Sequence, residues 1–366
     1  MPEVDLFKEA DRQLTICNAC RYCEGYCAVF PAIELRRDFA KGDVLYLANL
    51  CHDCRACYYA CMYSPPHEFA INIPQMMAEV RLASYRRWSW PDLLARSFTN
   101  QRLGIALATF GAASVVILSA VLVSPAKMFV VHRGAGSFYE IIPYLAMVIA
   151  GSALFLGMIS VWVIGSVRFW REAGSEPHRA GGIKAFIEGM ADALVLRNLS
   201  GGGPGCSYPE EEPSSVRRVY HSLVSWGFLS AFVSTSLAAV YQDFFGWRPP
   251  YSLTSGPVIF GSVGGVAMIV GTAGLLWFKT KSDHAPAAKA GSSLDLIFLG
   301  ILGLVSLSGM LTLAFRDTKA MGSILTIHLG LVAAMFVTAP YGKFVHFLYR
   351  SLALIKNRIE QNLSHS

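Results

Sequence analysis

Six long apolar segments constrain the fold of this chain more than any other feature of its sequence. Each contains the roughly 20 residues that an α-helix needs to cross the hydrocarbon core of a bilayer. The composition agrees, since 54% of the residues are hydrophobic, only 15% are charged and the mean hydropathy is +0.42. Glycine and serine are frequent inside the segments, and such small residues let membrane helices approach closely. We predict transmembrane helices at roughly 103–123, 140–166, 219–241, 257–278, 294–315 and 323–349.

Positive charge is distributed unevenly about these spans. The connector, loops and tail on the side of the N-terminal segment carry 17 Lys and Arg residues, whereas the opposite side carries five. Because Lys and Arg accumulate in cytoplasmic loops, we expect a multi-pass protein of the inner (cytoplasmic) membrane with both termini in the cytoplasm. The first 15 residues are charged and lack the apolar region of a cleavable signal peptide. Basic residues scattered among apolar spans are typical of membrane flanks rather than of a nucleic-acid-binding surface.

Eight of the nine cysteines lie before residue 62, in two copies of the pattern C-x2-C-x2-C-x3-C that are 34 residues apart. This regular spacing, without a signal peptide, favours metal ligation in a reducing cytosol over a disulfide framework. Structural zinc sites are the alternative, but they use two cysteine pairs separated by a longer knuckle. Four crowded cysteines, repeated once, indicate iron–sulfur clusters instead.

The spacing also predicts which cysteines share a cluster. Three cysteines on one tight loop reach three irons of one cubane, and in two-cluster ferredoxins the fourth cysteine ligates the other cluster. The usual proline directly after the fourth cysteine is displaced to Pro31 and Pro65, which leaves the ligands intact and the loop path open. We predict two [4Fe–4S] clusters, the first on Cys17, Cys20, Cys23 and Cys61 and the second on Cys51, Cys54, Cys57 and Cys27.

Three histidines lie within the apolar spans, where ionisable side chains usually mark function. His328 and His346 are 18 residues apart, which on one helix is five turns and about 27 Å, so both are expected on one face. Haem b needs two axial imidazoles from two helices, and His221 lies at the same cytoplasmic depth as His346. We predict haem b between His221 and His346. His328 has no partner at its depth, so it is assigned either to a second haem or to a quinone site. The alternative for all three histidines is that they lie at the membrane interface and face lipid headgroups.

These features predict an all-α fold in which a ferredoxin-like domain precedes a six-helix transmembrane bundle. Between the two, Trp88 and Trp90 beside Arg86 and Arg87 are typical of the lipid headgroup layer. The GGGPG run near Cys206 lacks a Walker lysine and a strand–helix context, so we interpret it as an irregular loop and Cys206 as an ordinary thiol. The predicted parts are a two-[4Fe–4S] domain at 1–85, an interfacial connector at 86–102, a haem b domain at 103–350 with a cytoplasmic loop at 168–218, and a cytoplasmic tail at 351–366.

Three stretches together resemble one known family over nearly the whole chain. They are CHDCRACYYACMYSPPHEFAINIP at 51–74, GGGPGCSYPEEEPSSVRRVYH at 201–221 and RPPYSLTSGPVIFGSVGG at 248–265. The chain resembles the tricarballylate/citrate-utilisation protein B family. That resemblance implies a membrane electron carrier with iron–sulfur clusters and haem, which reoxidises the reduced flavin of a partner FAD-dependent dehydrogenase and passes electrons to membrane quinone.

The last predicted span carries a second resemblance. HLGLVAAMFVTAPYGKFVH, at 328–346, is similar to the final helix of respiratory nitrate reductase haem subunits, which carries two haem ligands. In those subunits the partner helix carries two histidines ten residues apart. His221 matches the first of them, but Ala231 stands at the second position, which removes one ligand of an outer-leaflet haem.

We therefore expect a single-chain electron conduit, an oxidoreductase component without a catalytic centre of its own. A tricarballylate dehydrogenase-like flavoenzyme would bind the carboxylic acid substrate and dock at the cytoplasmic head; its electrons would leave through the clusters and haem b to a quinone. One alternative is a redox-gated transporter, which should carry charged residues at mid-bilayer or broken helices in two matching halves. The other is a membrane anchor for a ferredoxin domain, which predicts no haem.

Overall fold

The computed structural model describes residues 3–99, 101–173, 182–200, 205–288 and 291–364. Apart from one antiparallel β-pair of two residues on each side, the regular structure in these ranges is helical. The all-α prediction is therefore confirmed. A helical head is followed by long apolar helices, and the two share one buried core that includes residues from both.

The head is built around a compact apolar core. Leu14, Leu45, Leu47 and Met77 are fully buried within it. Its last helix begins at Asn72, whose side chain accepts a hydrogen bond from the N–H of Gln75 and so satisfies one of the unpaired donors of the first turn. The helices of the head are α1 (Glu3–Cys20), α2 (Val29–Glu34), α3 (Lys41–Leu50), α4 (Ala56–Tyr59) and α5 (Ile73–Trp88).

The rest of the chain forms ten helices among the described residues, six of which are long and apolar enough to cross a membrane. The ten are α6 (Asp92–Thr99), α7 (Gln101–Leu122), α8 (Pro125–Met128), α9 (Tyr144–Ala173), α10 (Gly182–Leu194), α11 (Val216–Phe245), α12 (Gly256–Lys281), α13 (Gly291–Ala314), α14 (Met321–Thr338) and α15 (His346–Ser364). The six candidate spans are α7, α9, α11, α12, α13 and α14. The predicted number of membrane helices is thus confirmed, and the protein is a membrane protein.

The segment between α9 and α11 is more ordered than the loop predicted at 168–218. It contains α10, a 3-10 turn at Arg197–Ser200 and the β-pair, in which β1 (Cys206–Ser207) pairs with β2 (Pro213–Ser214). Most of the GGGPG run, at 201–204, lies outside the described residues.

Helices α11 and α12 pack with their backbones in close contact. A Cβ atom on Gly264 would lie 2.6 Å from the carbonyl oxygen of Gly227, and one on Gly271 would lie 2.8 Å from that of Tyr220. Only hydrogen fits at these positions, as expected where small residues bring membrane helices together. The close packing fixes the position of the first turns of α11, which include His221.

The prediction of one continuous span over 323–349 is wrong. Helix α14 ends at Thr338, a 3-10 turn follows at Lys343–Val345, and α15 begins at His346. Pro340 lies in the interruption and has no backbone N–H to continue the hydrogen-bond ladder. His328 and His346 therefore lie on different helices, and the helical face that they were expected to share does not exist.

The C-terminal helix closes the head instead of extending away from it as a tail. Tyr349, Ala353 and Leu354 of α15 are buried in the head core. On the same helix, Glu360 accepts a hydrogen bond from Arg36 at 2.5 Å. The last residues of the chain thus stabilise its first domain.

The expected interfacial position of Trp88 is also wrong. Helix α5 continues beyond residue 85 to Trp88, whose side chain is 1% exposed. Its ring packs against Phe169 and Tyr349, and its Nε1–H donates to Glu172 at 2.9 Å. Trp90 does remain about half exposed. Trp88 thus fixes the head to α9 and α15, because its ring is buried against both and its indole N–H has a partner on α9.

Candidate functional site

The first cysteine set surrounds one cavity of the head. Cys17 and Cys20 lie in the last turn of α1, Cys23 lies in the turn that follows, and Cys61 comes after α4. All four line a cavity whose empty volume, part of it open to solvent, is about 370 Å³. The other lining residues are mostly apolar: Ile16, Tyr22, Phe30, Met62, Tyr63 and Ile71. The structure therefore brings Cys61 to the first three cysteines, as the spacing predicts.

The second cysteine set lies deeper. Cys51 directly follows α3, Cys54 lies in the loop after it, and both are buried; Cys57 lies in α4. Cys27, from the first repeat, lies near these cysteines. Burial raises its pKa, and the thiols of Cys54 and Cys51 raise it further. Burial raises the pKa of Cys57, and the thiols of Cys54, Cys27 and Cys51 and then that of Cys23 from the first set raise it further. The two sets thus lie side by side.

Backbone N–H groups point at the cysteine sulfurs. The N–H of Tyr63 donates to Cys61 Sγ at 3.4 Å. Burial raises the pKa of Cys27 well above its usual range, and the N–H groups of Val29 and Phe30 partly offset this effect. Burial also raises the pKa of Cys17 to about 12. Buried thiols of this kind become thiolates when a metal binds and releases their protons, and the N–H groups then stabilise the sulfur charge.

The donor set fits iron–sulfur clusters. In the part of the chain that the structure describes, no group of three or more His, Cys, Asp or Glu side chains converges tightly enough for a single metal ion. A cubane cluster does not require such convergence, since its four thiolates bind four separate irons. Two adjacent sets of four sulfurs, one of them lining a cavity, match that arrangement.

Cys206 lies against the second cysteine set, which sequence reasoning missed. It is fully buried and packs with Cys54, and the N–H of Ser207 donates to the Cys54 carbonyl at 2.9 Å. The chain reaches this contact at Gly205, whose φ of +130° is a conformation that few residues other than glycine adopt. More than 140 residues separate the two cysteines, so no local spacing signals their contact.

His221 and His346 meet at the junction of the membrane helices and the head. Their ring centres are 6.0 Å apart. An imidazole nitrogen bonds a metal at about 2 Å, so one metal between two imidazoles places their ring centres about 6 Å apart. His346 Nδ1 lies 2.6 Å from the Lys343 carbonyl and His221 Nδ1 lies 3.1 Å from Ser225 Oγ. Each ring is thereby oriented through Nδ1, which leaves Nε2 as the nitrogen that it can present to a metal.

His328 is not part of this pair. Its Nδ1 lies 3.0 Å from Ser308 Oγ of α13, and Gly309 packs against the same ring. His132, in the loop after α8, is held elsewhere by the Glu140 carboxylate and the Lys127 carbonyl. Among the described residues, the structure thus brings no second imidazole to His328.

A second cavity, whose empty volume of about 450 Å³ is partly open to solvent, lies between α7, α13, α14 and the 3-10 turn before α15. It is lined mainly by apolar side chains, including Phe298 and Phe344, and by Lys343. The Phe298 ring lies 6.0 Å from that of His346, so the cavity adjoins the histidine pair. Lys343 Nζ lies 3.0 Å from the Asp295 carboxylate, which also pairs with Lys279 at 2.7 Å. An apolar cavity with a few polar groups at one side is typical of a small-molecule site.

Known protein families match both the membrane part and the head of the chain. Residues 98–365 match the family described as citrate utilization protein B, and residues 10–87 match the citrate utilization protein B Fer4-like domain. The chain is 42% identical to the citrate utilization protein B of Escherichia coli over 355 residues, which cover 96% of this chain and 92% of that protein. No solved structure matches the chain.

Proposed function

We propose that this chain, which belongs to the citrate utilization protein B family, is a membrane carrier of electrons from a reduced flavoprotein to quinone. Its Fer4-like domain supports iron–sulfur electron transfer, and the name of its relative supports a role in citrate utilisation. The donor in this proposal is an FAD-dependent dehydrogenase of tricarballylate or a related acid. It docks at the head, in the cytoplasm, and the chain spans the inner membrane with both termini on that side, as the Lys and Arg distribution supports.

Two [4Fe–4S] clusters and one haem b are the groups that the chain would hold. The first cluster takes Cys17, Cys20, Cys23 and Cys61, the second takes Cys51, Cys54, Cys57 and Cys27, and haem b takes His221 and His346. When bound, such groups accept and release single electrons, so the electron pair of a reduced flavin can leave in one-electron steps. The chain's own residues hold the groups, exclude water from the second cysteine set and orient the two imidazoles.

One observation carries this proposal more than any other. Arg350 lies one helical turn beyond His346, and its Nη2–H donates to the carbonyl oxygen of Cys51 at 2.7 Å. A single side chain therefore joins the second cysteine set to the histidine pair. A mere anchor for a ferredoxin domain has no need for such contact, whereas an electron carrier needs its centres close together.

The cavity beside Phe298 and Phe344 is the quinone site in this proposal. Quinone rings are planar and apolar, so they suit a site lined by aromatic and aliphatic side chains. Lys343 Nζ can donate a hydrogen bond to a quinone oxygen, and Asp295 holds that ammonium in place. Reduction of a quinone to a quinol takes two electrons and two protons. Lys343 lines this cavity, and its ammonium group bears protons that it can supply to a quinone oxygen.

A reduced-minus-oxidised spectrum of the purified full-length protein tests the haem assignment. We expect a haem b α-band that is lost or strongly weakened in His221→Ala and in His346→Ala. His328→Ala is the matched control, because it removes an imidazole from a membrane span without touching the pair, and it should keep the band. If protein made with ample haem shows no α-band, the haem assignment fails, and the anchor or the redox-gated transporter becomes the better explanation.

Chemical analysis tests the cluster assignment separately. Two [4Fe–4S] clusters require about eight non-haem iron and eight sulfide per chain. Anaerobically purified protein should approach these values whether or not haem is present. Iron without sulfide, or zinc in its place, would contradict the cluster assignment.

A further inference from the structure

Two arginines converge on the backbone at Cys51. Arg81 of α5 donates from Nη2 to the Cys51 carbonyl at 2.6 Å and from Nε to the Ala48 carbonyl at 2.8 Å. Arg350 of α15 donates to the same Cys51 carbonyl at 2.7 Å. Arg81 is 5% exposed, and Nε of Arg350 is buried without a hydrogen-bond partner. Across the described ranges, neither guanidinium has a carboxylate within 4.0 Å.

Such a pair is costly in an otherwise neutral interior. An arginine stays protonated in proteins, so burial cannot be relieved by loss of the charge. Buried charges are normally paired, and two like charges side by side repel each other. The fold therefore requires a negative charge near these two side chains.

The nearby carboxylate does not provide enough negative charge. Asp53 lies next to Cys51 but is shared by two further arginines, Arg55 and Arg217, each 3.9 Å away. Among the described residues, four arginines thus lie at the second cysteine set, and Asp53 is the one carboxylate within 4.0 Å of their guanidinium nitrogens. In contrast, the cavity of the first set contains no arginine among its lining residues.

We propose that Arg81 and Arg350 are positioning residues that raise the reduction potential of the second cluster above that of the first. This inference rests on the proposed function, since it requires both clusters. A cluster with four thiolates is anionic, and each added electron makes it more so. Burial opposes that addition, whereas two adjacent cations favour it. Transfer of one electron from the first cluster to the second, in which the first is oxidised and the second is reduced, would then be favourable, and Arg350 would link that second site to the helix that carries His346.

The effect is measured as the equilibrium constant for moving one electron from the first site to the second. Replacing either arginine with a neutral side chain should lower that constant at least tenfold. A tenfold change corresponds to 59 mV for a one-electron couple. Most of the shift should appear in the midpoint potential of the second cluster.

A redox titration of the intact protein, followed by electron paramagnetic resonance of each cluster, measures both midpoints. In Arg81→Gln and in Arg350→Gln we expect one midpoint to fall by 59 mV or more while the other moves by less than half as much. Arg86→Gln is the matched control, because Arg86 lies on α5 like Arg81 but is exposed, and neither midpoint should move. Unchanged midpoints in both test variants would overturn the proposal.

Loss of an arginine could disturb folding, so a second variant keeps both arginines and removes a nearby negative charge instead. Asp53→Asn removes the one carboxylate beside Cys51, so the same midpoint should rise. A fall or no change in that variant would also overturn the proposal. The outcome is distinguishable from failure of the proposed function itself: protein without two clusters contradicts the function, whereas two clusters with insensitive potentials contradict this inference alone.

Discussion

Substitution of Gly271 tests how the membrane helices hold His221 in place. A Cβ atom there would lie 2.8 Å from the carbonyl oxygen of Tyr220 and 2.9 Å from the backbone nitrogen of Val224. Ordinary contacts are longer, so α11 and α12 must separate by roughly half an ångström in Gly271→Ala, at a cost of about 1–3 kcal/mol. Because Tyr220 directly precedes His221, the displacement reaches the histidine pair. If the strain is relieved when haem leaves, haem should dissociate about five- to 150-fold more readily.

The assay is the rate at which haem transfers from purified protein to an excess of a haem-binding acceptor. Gly300→Ala is the matched control, since a Cβ atom on Gly300 of α13 meets no heavy atom within 4 Å. Both substitutions remove the same backbone freedom, so the difference between them isolates the clash. We expect faster transfer only in Gly271→Ala, with the iron content of the head unchanged. Equal rates in the two variants would refute the reasoning that close α11–α12 packing positions His221.

Three further perturbations have defined outcomes. Cys27→Ser should alter the electron paramagnetic resonance signal of the second cluster and spare the first; loss of only the first would contradict the assignment. The Lys127 carbonyl, and after it Glu140, raise the pKa of His132, so their stabilisation is present below about pH 6.5 and is lost as pH rises through the raised pKa. The melting temperature should then fall more between about pH 6 and pH 9 in the natural protein than in His132→Gln, and equal falls would contradict this. Glu360→Gln should destabilise the head by about 2 kcal/mol in denaturant unfolding, whereas an unchanged midpoint would show that the α15 ion pair contributes nothing.

Local patterns in the sequence predict much of this fold. Apolar segments of sufficient length identify all six membrane helices, because lipid demands the same composition along the whole of each span. The repeat spacing predicts that Cys61 joins the first cysteine set and Cys27 the second, and the structure groups them in that way. Their ligation of clusters stays a prediction. His221 and His346 were paired by depth alone, and the structure brings their rings together.

What local patterns miss are contacts between distant segments. Trp88 has the sequence context of an interfacial residue but is buried, because α9 and α15 cover it. The apolar run over 323–349 hides a helix break, since hydropathy does not register the missing N–H of Pro340. Cys206 contacts Cys54 across the remainder of the head and two membrane spans, and Arg350 reaches Cys51 from the last helix. Each of these contacts depends on packing between elements far apart in sequence, which leaves no periodic signal.

Whether electrons reach the histidine pair through the cysteine head is decided by one kinetic measurement. The oxidised full-length protein is mixed with a reduced flavin in a stopped-flow spectrometer, and the growth of the haem α-band is followed. Cys57→Ser, which removes one thiolate from the second set, should slow that growth at least tenfold while dithionite still develops the full band. An unchanged rate in Cys57→Ser, with its second cluster shown to be lost, would mean that electrons bypass the head and would contradict the proposed route.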